Sequence, residues 1–417
     1  MTLCVFLSTL AVAYGAKVLH LSDIHLDTLS DSTQFGPDTF CRNPSDLPSA
    51  QRLRQTEAYW AQDFHYRTDR PYVQVAPVAT ASAPFGQYLC DTTPALLKAV
   101  LGDAFGSATY DFVVITGDFV AHNQPNSSTT MYMFKNAVAT IANANANGVP
   151  VVPVVGNEDF YPDYNMDCKS REGRDHLYDL WNVLSTNGWI DSSQDQNFQT
   201  FGGLHVDVLQ QNLRVVSVNS VLWSNRNDHT GFDHDPCGQF SWLDGTLGTA
   251  KSNGQRVWIA GHVPPSFNLW HSDYEATFMT IMKKYASIID ATMWGHTHSN
   301  SFFLDKNLPS LLGLITGSVT PNPVNPSYRV YNVTTRRSGE IVPSDFTQTY
   351  VDLHAINAAG TFSSQPLFQY SKTFGADVSS ASVKALHSKL LTDATFRRNY
   401  FNLEVSAYDN GAWDRIW

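Results

Sequence analysis

The 417-residue chain carries 38 acidic against 27 basic side chains, and this net charge of -11 excludes a nucleic-acid scaffold, whose footprint would be basic. At 43% hydrophobic and 12% aromatic it has material for one large or two ordinary domains. The acidity leaves small phosphate substrates open, because bound cations can supply positive charge locally.

Residues 1–15 hold apolar runs, Leu3 to Leu7 and Leu10 to Ala13, that are too short to span a bilayer and end in small residues near Gly15 and Ala16. This reads as a secretory signal peptide, although its start lacks the usual positive charge. Beyond Cys4 the chain has Cys41, Cys90, Cys168 and Cys237, an even set that suggests two disulfides with three pairings open. Sequons at Asn126 and Asn332 fit the same secreted or lysosomal-type compartment. No later apolar run is long enough for a transmembrane helix, and Trp413 to Trp417 lack the hydrophobic tail of a lipid anchor. The expectation is a soluble glycoprotein, monomeric, acting on a small phosphorylated substrate.

Strand-like runs follow in order: Lys17 to Leu21, Asp111 to Thr116, Val149 to Val155, Leu213 to Val218, Arg256 to Ala260, Ala291 to Trp294 and Leu311 to Thr316. Between them, Met131, Phe134, Val138 and Ile141 share one helical face, as do Phe278, Ile281, Met282 and Tyr285. Asp91 to Pro94 looks like a helix cap with proline in the first turn. This βα rhythm predicts a layered α/β domain over 16–342. From Asp27 to Gln87 the sequence is polar and aperiodic, a long excursion whose ends Cys41 and Cys90 could staple. Residues 343–417 read as a smaller C-terminal subdomain, with Ser382 to Leu391 helical.

The residues just past successive strands carry the chemistry. They are Asp23 and His25, then Asp118 after Gly117, then Asn157 after Gly156, then His262 after Gly261, then His296 and His298 after Gly295. Oxygen and imidazole donors of this kind suit zinc, manganese or iron. Residues two apart on an extended segment point the same way, so Asp23 with His25, and His296 with His298, can reach one cleft together. The preceding glycines let backbone approach without a Cβ clash. A lone histidine is more often structural than a ligand, but seven suitable donors at strand ends reverse that prior. Elsewhere, His229, His234 and Asp235 read as solvated loop residues. Trp270, His271, Phe160 and Tyr161 are equally compatible with a substrate mouth or with packing.

The pattern D-x-H, G-D, G-N, G-H and G-H-x-H resembles the calcineurin-like metallophosphoesterases. Leu19 to Asp27, Pro84 to Asp91, Gly261 to Pro265, Ser318 to Pro321 and Asn325-Pro326 are similar to the acid sphingomyelinase-like phosphodiesterase branch, over roughly residues 17 to 405. The resemblance implies a four-layer α/β/β/α sandwich with a small, mostly helical C-terminal subdomain. It also implies two divalent ions, zinc the first choice: Asp23, His25, Asp118 and His298 around one, and Asp118, Asn157, His262 and His296 around the other. His122 would face the substrate phosphate. Two dications lower the pKa of a bridging water so that hydroxide exists at mild pH, orient the phosphoryl group and neutralise its charge during displacement.

Two departures stand out. Where the family pattern has histidine after the Gly-Asn pair, Glu158 stands here. Glu158 with a burial-raised pKa, helped by His122, would serve as general acid in an acidic compartment. The rival is a secreted metal-containing binding protein with attenuated catalysis. The chain also ends soon after Tyr408 to Asn410, without the cysteine-bearing tail usual in that branch and without room before Lys17 for a lipid-loading domain. That favours nucleotides or soluble phosphodiesters over membrane sphingomyelin.

Overall fold

A computed structural model describes residues 15–31, 41–43, 46, 83–227, 233–266, 268–305, 308, 310–322 and 324–407. The signal-peptide reading (apart from Gly15), most of the 27–87 excursion, and His229 lie outside the described residues. The first half runs β1 (Gly15–Leu21), α1 (Pro94–Ser107), β2 (Phe112–Ile115), α2 (Ser127–Ala144), β3 (Val151–Pro153), α3 (Arg171–Thr186) and α4 (Asp195–Phe201). The second half runs β4 (Leu204–Val208), β5 (Leu213–Ser217), α5 (Gln239–Ser252), β6 (Arg256–Ala260), α6 (Ser272–Lys284), β7 (Ile289–Trp294), β8 (Ser301–Leu304) and β9 (Leu312–Ile315). There follow β10 (Ser327–Thr335), β11 (Ile341–Tyr350), α7 (Leu353–Ala359), β12 (Gln365–Gln369), α8 (Tyr370–Phe374), α9 (Ser380–Thr392) and α10 (Ala394–Glu404).

Local chemistry sets the helix starts. The Thr93 side chain accepts from Leu96 N ahead of Pro94, Asn126 accepts from Thr129 N, and Ser170 accepts from Gly173 N. The strands form two six-stranded sheets, ordered β12-β11-β10-β1-β2-β3 and β4-β5-β6-β7-β9-β8. Strands β1, β2 and β3 run parallel, as do β5, β6, β7 and β9, so each sheet sends a set of carboxyl ends to one edge.

Side-chain alternation along the strands makes the layers. Val18, Phe112, Val114 and Val152 meet Val215, Trp258, Ala260 and Met293 between the sheets. Their neighbours Leu19, Val113 and Ile115 face the other way, onto Leu97 and Val100 of α1 and Phe134 of α2. Val257 and Ile259 turn outward to Leu243 of α5 and Phe278 of α6. The result is helix, sheet, sheet, helix. The sequence division at 342/343 falls inside β11, which pairs with β10 and, with β12, extends the first sheet. The helices α7 to α10 come after it. Disulfides join Cys41 to Cys90 and Cys168 to Cys237.

Candidate metal centre

The seven donors meet where both sheets end, but their backbone is not the extended form expected from two-residue spacing. Asp23 (φ 50°), His25 (φ 42°), Asp118 (φ 54°), His296 (φ 70°) and His298 (φ 54°) are all left-handed. Such non-glycine conformations cost of order 1–3 kcal/mol each and persist only when the surroundings over-determine them. Here Asp23 N donates to Gly117 O at 3.1 Å, and His25 N donates to Asp118 O at 2.8 Å. The convergence of each pair therefore comes from tight left-handed turns rather than from a strand face. Two glycines are required by space. A Cβ on Gly156 would lie 2.1 Å from Asp118 Oδ1, and one on Gly295 would lie 2.1 Å from Ser22 Oγ.

On one side of the cleft, His25 Nε2 lies 3.1 Å from His298 Nε2 and 3.5 Å from Asp118 Oδ2, and His298 Nε2 lies 3.5 Å from Asp23 Oδ1. On the other, His262 Nε2 lies 3.0 Å from both Asp118 Oδ2 and Asn157 Oδ1, with the His296 ring 5.1 Å away. Ligand-capable atoms of Asp23, His25 and Asp118 lie within 4.8 Å of one another, as do those of Asp118, His262 and His296. Backbone carbonyls orient three of the rings. His25 Nδ1 meets Val120 O at 3.0 Å, His262 Nδ1 meets Thr116 O at 2.6 Å, and His298 Nδ1 meets Asn322 O. Each carbonyl holds Nδ1 and leaves Nε2 toward the cleft, the outer-partner arrangement usual for a metal-ligating imidazole. The donor set, its burial and these outer partners fit a divalent pair.

Electrostatically the site asks for cations. Burial, then neighbouring histidines, hold the pKa of His25 and of His296 well below the usual value. For His262, burial acts downward, but the Asp118 carboxylate outweighs it and carries the pKa up to about 9. Burial, then the carboxylates of Asp163 and Asp118, push Glu158 well above its ordinary range. Burial and Asp118 push Asp159 up to about 8. Carboxylates crowded this closely resist joint ionisation until positive charge is supplied.

His122 stacks on His25, centroids 3.9 Å apart at 16°, and its ligand-capable nitrogen joins those of His25 and His298 within 4.8 Å. Asp91, which the sequence suggested as part of a cap and as the end of the Pro84 to Asp91 stretch, accepts from both His122 N and His122 Nδ1 at 2.7 Å. Arg42 Nη2 lies 3.9 Å from the same carboxylate, and Arg42 Nε donates to Asp27 Oδ2 at 2.7 Å. Glu158 Oε1 accepts from Asn157 Nδ2 at 3.0 Å, and Glu158 N donates to Asp118 Oδ1 at 2.9 Å. Asp159 accepts from Phe119 N and Gly156 N, each at 2.8 Å, and so ties the second and third strand ends together. Neither Asp91 nor Asp159 was distinguishable by strand-end position. Adjacency to Cys90 and to Asn157-Glu158 was the available signal.

The remaining candidates separate cleanly. Trp270 and Phe160 are buried in the core, Trp270 Nε1 donating to Val263 O at 3.1 Å. Tyr161 donates its hydroxyl to Pro125 O, and Asp235 accepts from Phe240 N and Ser241 N at the start of α5. His234 is exposed, and His271 precedes α6 as its cap residue.

A calcineurin-like phosphoesterase model matches residues 16–300. The chain is 25% identical to sphingomyelinase phosphodiesterase D of Dictyostelium discoideum, covering 95% of this chain and 90% of that one. It is 25% identical to the cyclic GMP-AMP phosphodiesterase SMPDL3A of Mus musculus, covering 88% and 87%. Among solved structures, a dimetal phosphatase from Danio rerio aligns at 12% identity and TM-score 0.46, covering 80% of this chain and 95% of that one.

Proposed function

Because the chain belongs to the calcineurin-like phosphoesterase family, we propose that it is a metal-dependent phosphoric diester hydrolase that cleaves phosphodiester or phosphoanhydride bonds of small substrates, nucleotides or phosphocholine-type esters. The observation that carries this reading is the gathering of six donor-type side chains around Asp118, the seven together coming from five strand ends. One ion is assigned to Asp23, His25, Asp118 and His298, the other to Asp118, Asn157, His262 and His296. Asp118 would be shared between them, a role supported by Oδ2 lying 3.5 Å from His25 Nε2 and 3.0 Å from His262 Nε2. Zinc is the assigned metal, on the histidine-rich donor set.

When bound, such a pair acts as a Lewis acid on the phosphoryl oxygens and makes the attacking water more acidic. The protein's own part is orientation and proton traffic. As water oxygen bonds to phosphorus and the bond to the leaving oxygen breaks, that oxygen needs a proton. His122, oriented by Asp91 through Nδ1 and stacked on His25, is placed to deliver it. Glu158 is the second donor, kept protonated to higher pH by burial among carboxylates. Its bond from Asn157 Nδ2 also supports a second role, turning Asn157 Oδ1 toward His262.

The competing reading is a binding protein that holds metals and phosphates with slow turnover, and Glu158 in place of a histidine is what favours it. The compartment is assigned as secreted or lysosomal-type, supported by the two disulfides. Among the described residues no helix is long and apolar enough to cross a membrane.

Metal analysis coupled to a panel of nucleotides, a choline phosphodiester and a phosphomonoester tests this. Chelator-sensitive turnover, highest on the acid side, is expected. Metal-loaded protein inert across pH ~4 to 8, where a tuned carboxyl works, would overturn the enzyme. Glu158→His should raise the rate if position 158 supplies the leaving-group proton, and an unchanged rate assigns that proton to His122.

A further inference from the structure

His296 differs from the other ligand-type histidines in how it is held. His25, His262 and His298 each lean on a backbone carbonyl through Nδ1, which no side-chain substitution removes. His296 instead engages a side chain through the opposite nitrogen: its Nε2 lies 3.2 Å from the Tyr164 hydroxyl, with the two rings nearly perpendicular at 86°. That leaves Nδ1 as the nitrogen for an ion.

Tyr164 is itself tightly placed. It is 6% exposed, packs within the main core and has φ 58°. Its backbone N donates to Asn157 O at 3.1 Å, and its own carbonyl accepts from Met166 N at 2.8 Å. Asn227 Nδ2 donates to Met166 O at 2.9 Å, pinning the turn from the far side. One residue therefore touches two donors of the same cluster, Asn157 through its backbone and His296 through its side chain. The Arg226 guanidinium carbon, 5.4 Å from the ring centroid, covers the Tyr164 face.

We propose that Tyr164 is a positioning residue for the second ion: its hydroxyl accepts the Nε2 proton of His296, fixes the ring's tautomer and rotation, and so sets the affinity of the site built from Asp118, Asn157, His262 and His296. The inference rests on the ligand assignment above. Outer partners of this kind carry about 10–100-fold in metal affinity, whereas a tyrosine acting only as packing would be replaced by phenylalanine without consequence for metal.

The test is a zinc titration of Tyr164→Phe against a chromophoric chelator, beside wild type and with metal-free unfolding midpoints. Wild type should hold two ions. Tyr164→Phe should hold one with wild-type affinity and the other about 10–100-fold more weakly, with the metal-free midpoint unchanged because the ring stays. Two ions at wild-type affinity in Tyr164→Phe overturn the proposal. So does equal weakening of both ions with a lowered metal-free midpoint, which marks a general loss of folding rather than an effect at His296. Wild type that binds fewer than two ions breaks the functional assignment instead, so the two failures are distinguishable.

Discussion

Asp91 is where a single carboxylate decides most. It is buried, accepts two bonds from His122 at 2.7 Å and has the Arg42 guanidinium 3.9 Å away. Burial alone would raise its pKa, but His122 and Arg42 outweigh that and hold it below the ordinary carboxylate value of 3.8. A depressed folded-state pKa means that its stabilisation is complete above 3.8 and is lost as pH falls through the lower folded value. Asp91→Asn should therefore cost about 3–5 kcal/mol, the usual penalty for stranding one partner of a buried pair. In denaturant melts the gap to wild type should stay level from neutral pH to near 4 and narrow only below that. If His122 moves the proton, kcat should also fall by about 10²–10⁴-fold. A gap that instead opens below pH 4 would refute the pairing, and a kcat that does not move would refute His122 as the proton carrier. Sequence reading reached the assigned donors because each stands shortly after a strand, where position is local. It missed Asp91 and Tyr164 because their partners, His122 and His296, are 31 and 132 residues away.

At the scale of elements, the seven strands read from apolar runs are present as β1, β2, β3, β5, β6, β7 and β9, the buried parallel strands and β1, whose sequences are nearly continuous in hydrophobics. Those not foreseen are the half-exposed ones: β4 and β8 at the sheet edge, and β10 to β12, where polar residues such as Arg329, Asn332, Ser344 and Gln348 interrupt the pattern. The Cys41–Cys90 bridge joins the segment carrying Arg42 to the one carrying Asp91. Closing a loop of 49 residues restrains the unfolded chain by about 4 kcal/mol in the chain-entropy picture. Cys41→Ser with Cys90→Ser should lose stability of that order. It should also lower kcat at temperatures where the protein is still folded, because Arg42 and Asp91 are no longer held together behind His122. A variant with lowered stability and unaltered kcat would show that the bridge serves the fold alone.

The whole molecule is two sheets whose carboxyl ends face one cleft, and on the assigned ligand sets neither ion belongs to a single sheet. Asp23, His25, Asp118 and Asn157 follow strands of the first sheet, while His262, His296 and His298 follow strands of the second. Each ion would thus fasten one sheet to the other at the edge where the inter-sheet core ends. Metal then acts as a thermodynamic staple, and an ion bound only by the folded state adds about 2.7 kcal/mol when present at 100 times its Kd. Unfolding entropy of about 2.1 cal/mol/K per residue makes this roughly 3 °C per ion for a chain of 417 residues. Zinc should raise the midpoint of chelated wild type in two increments of that size. His298→Ala and His262→Ala should each retain one increment, and Asp118→Ala, which removes the shared carboxylate, should retain neither. If Asp118→Ala responds to zinc as wild type does, the shared carboxylate is not what joins the two ions.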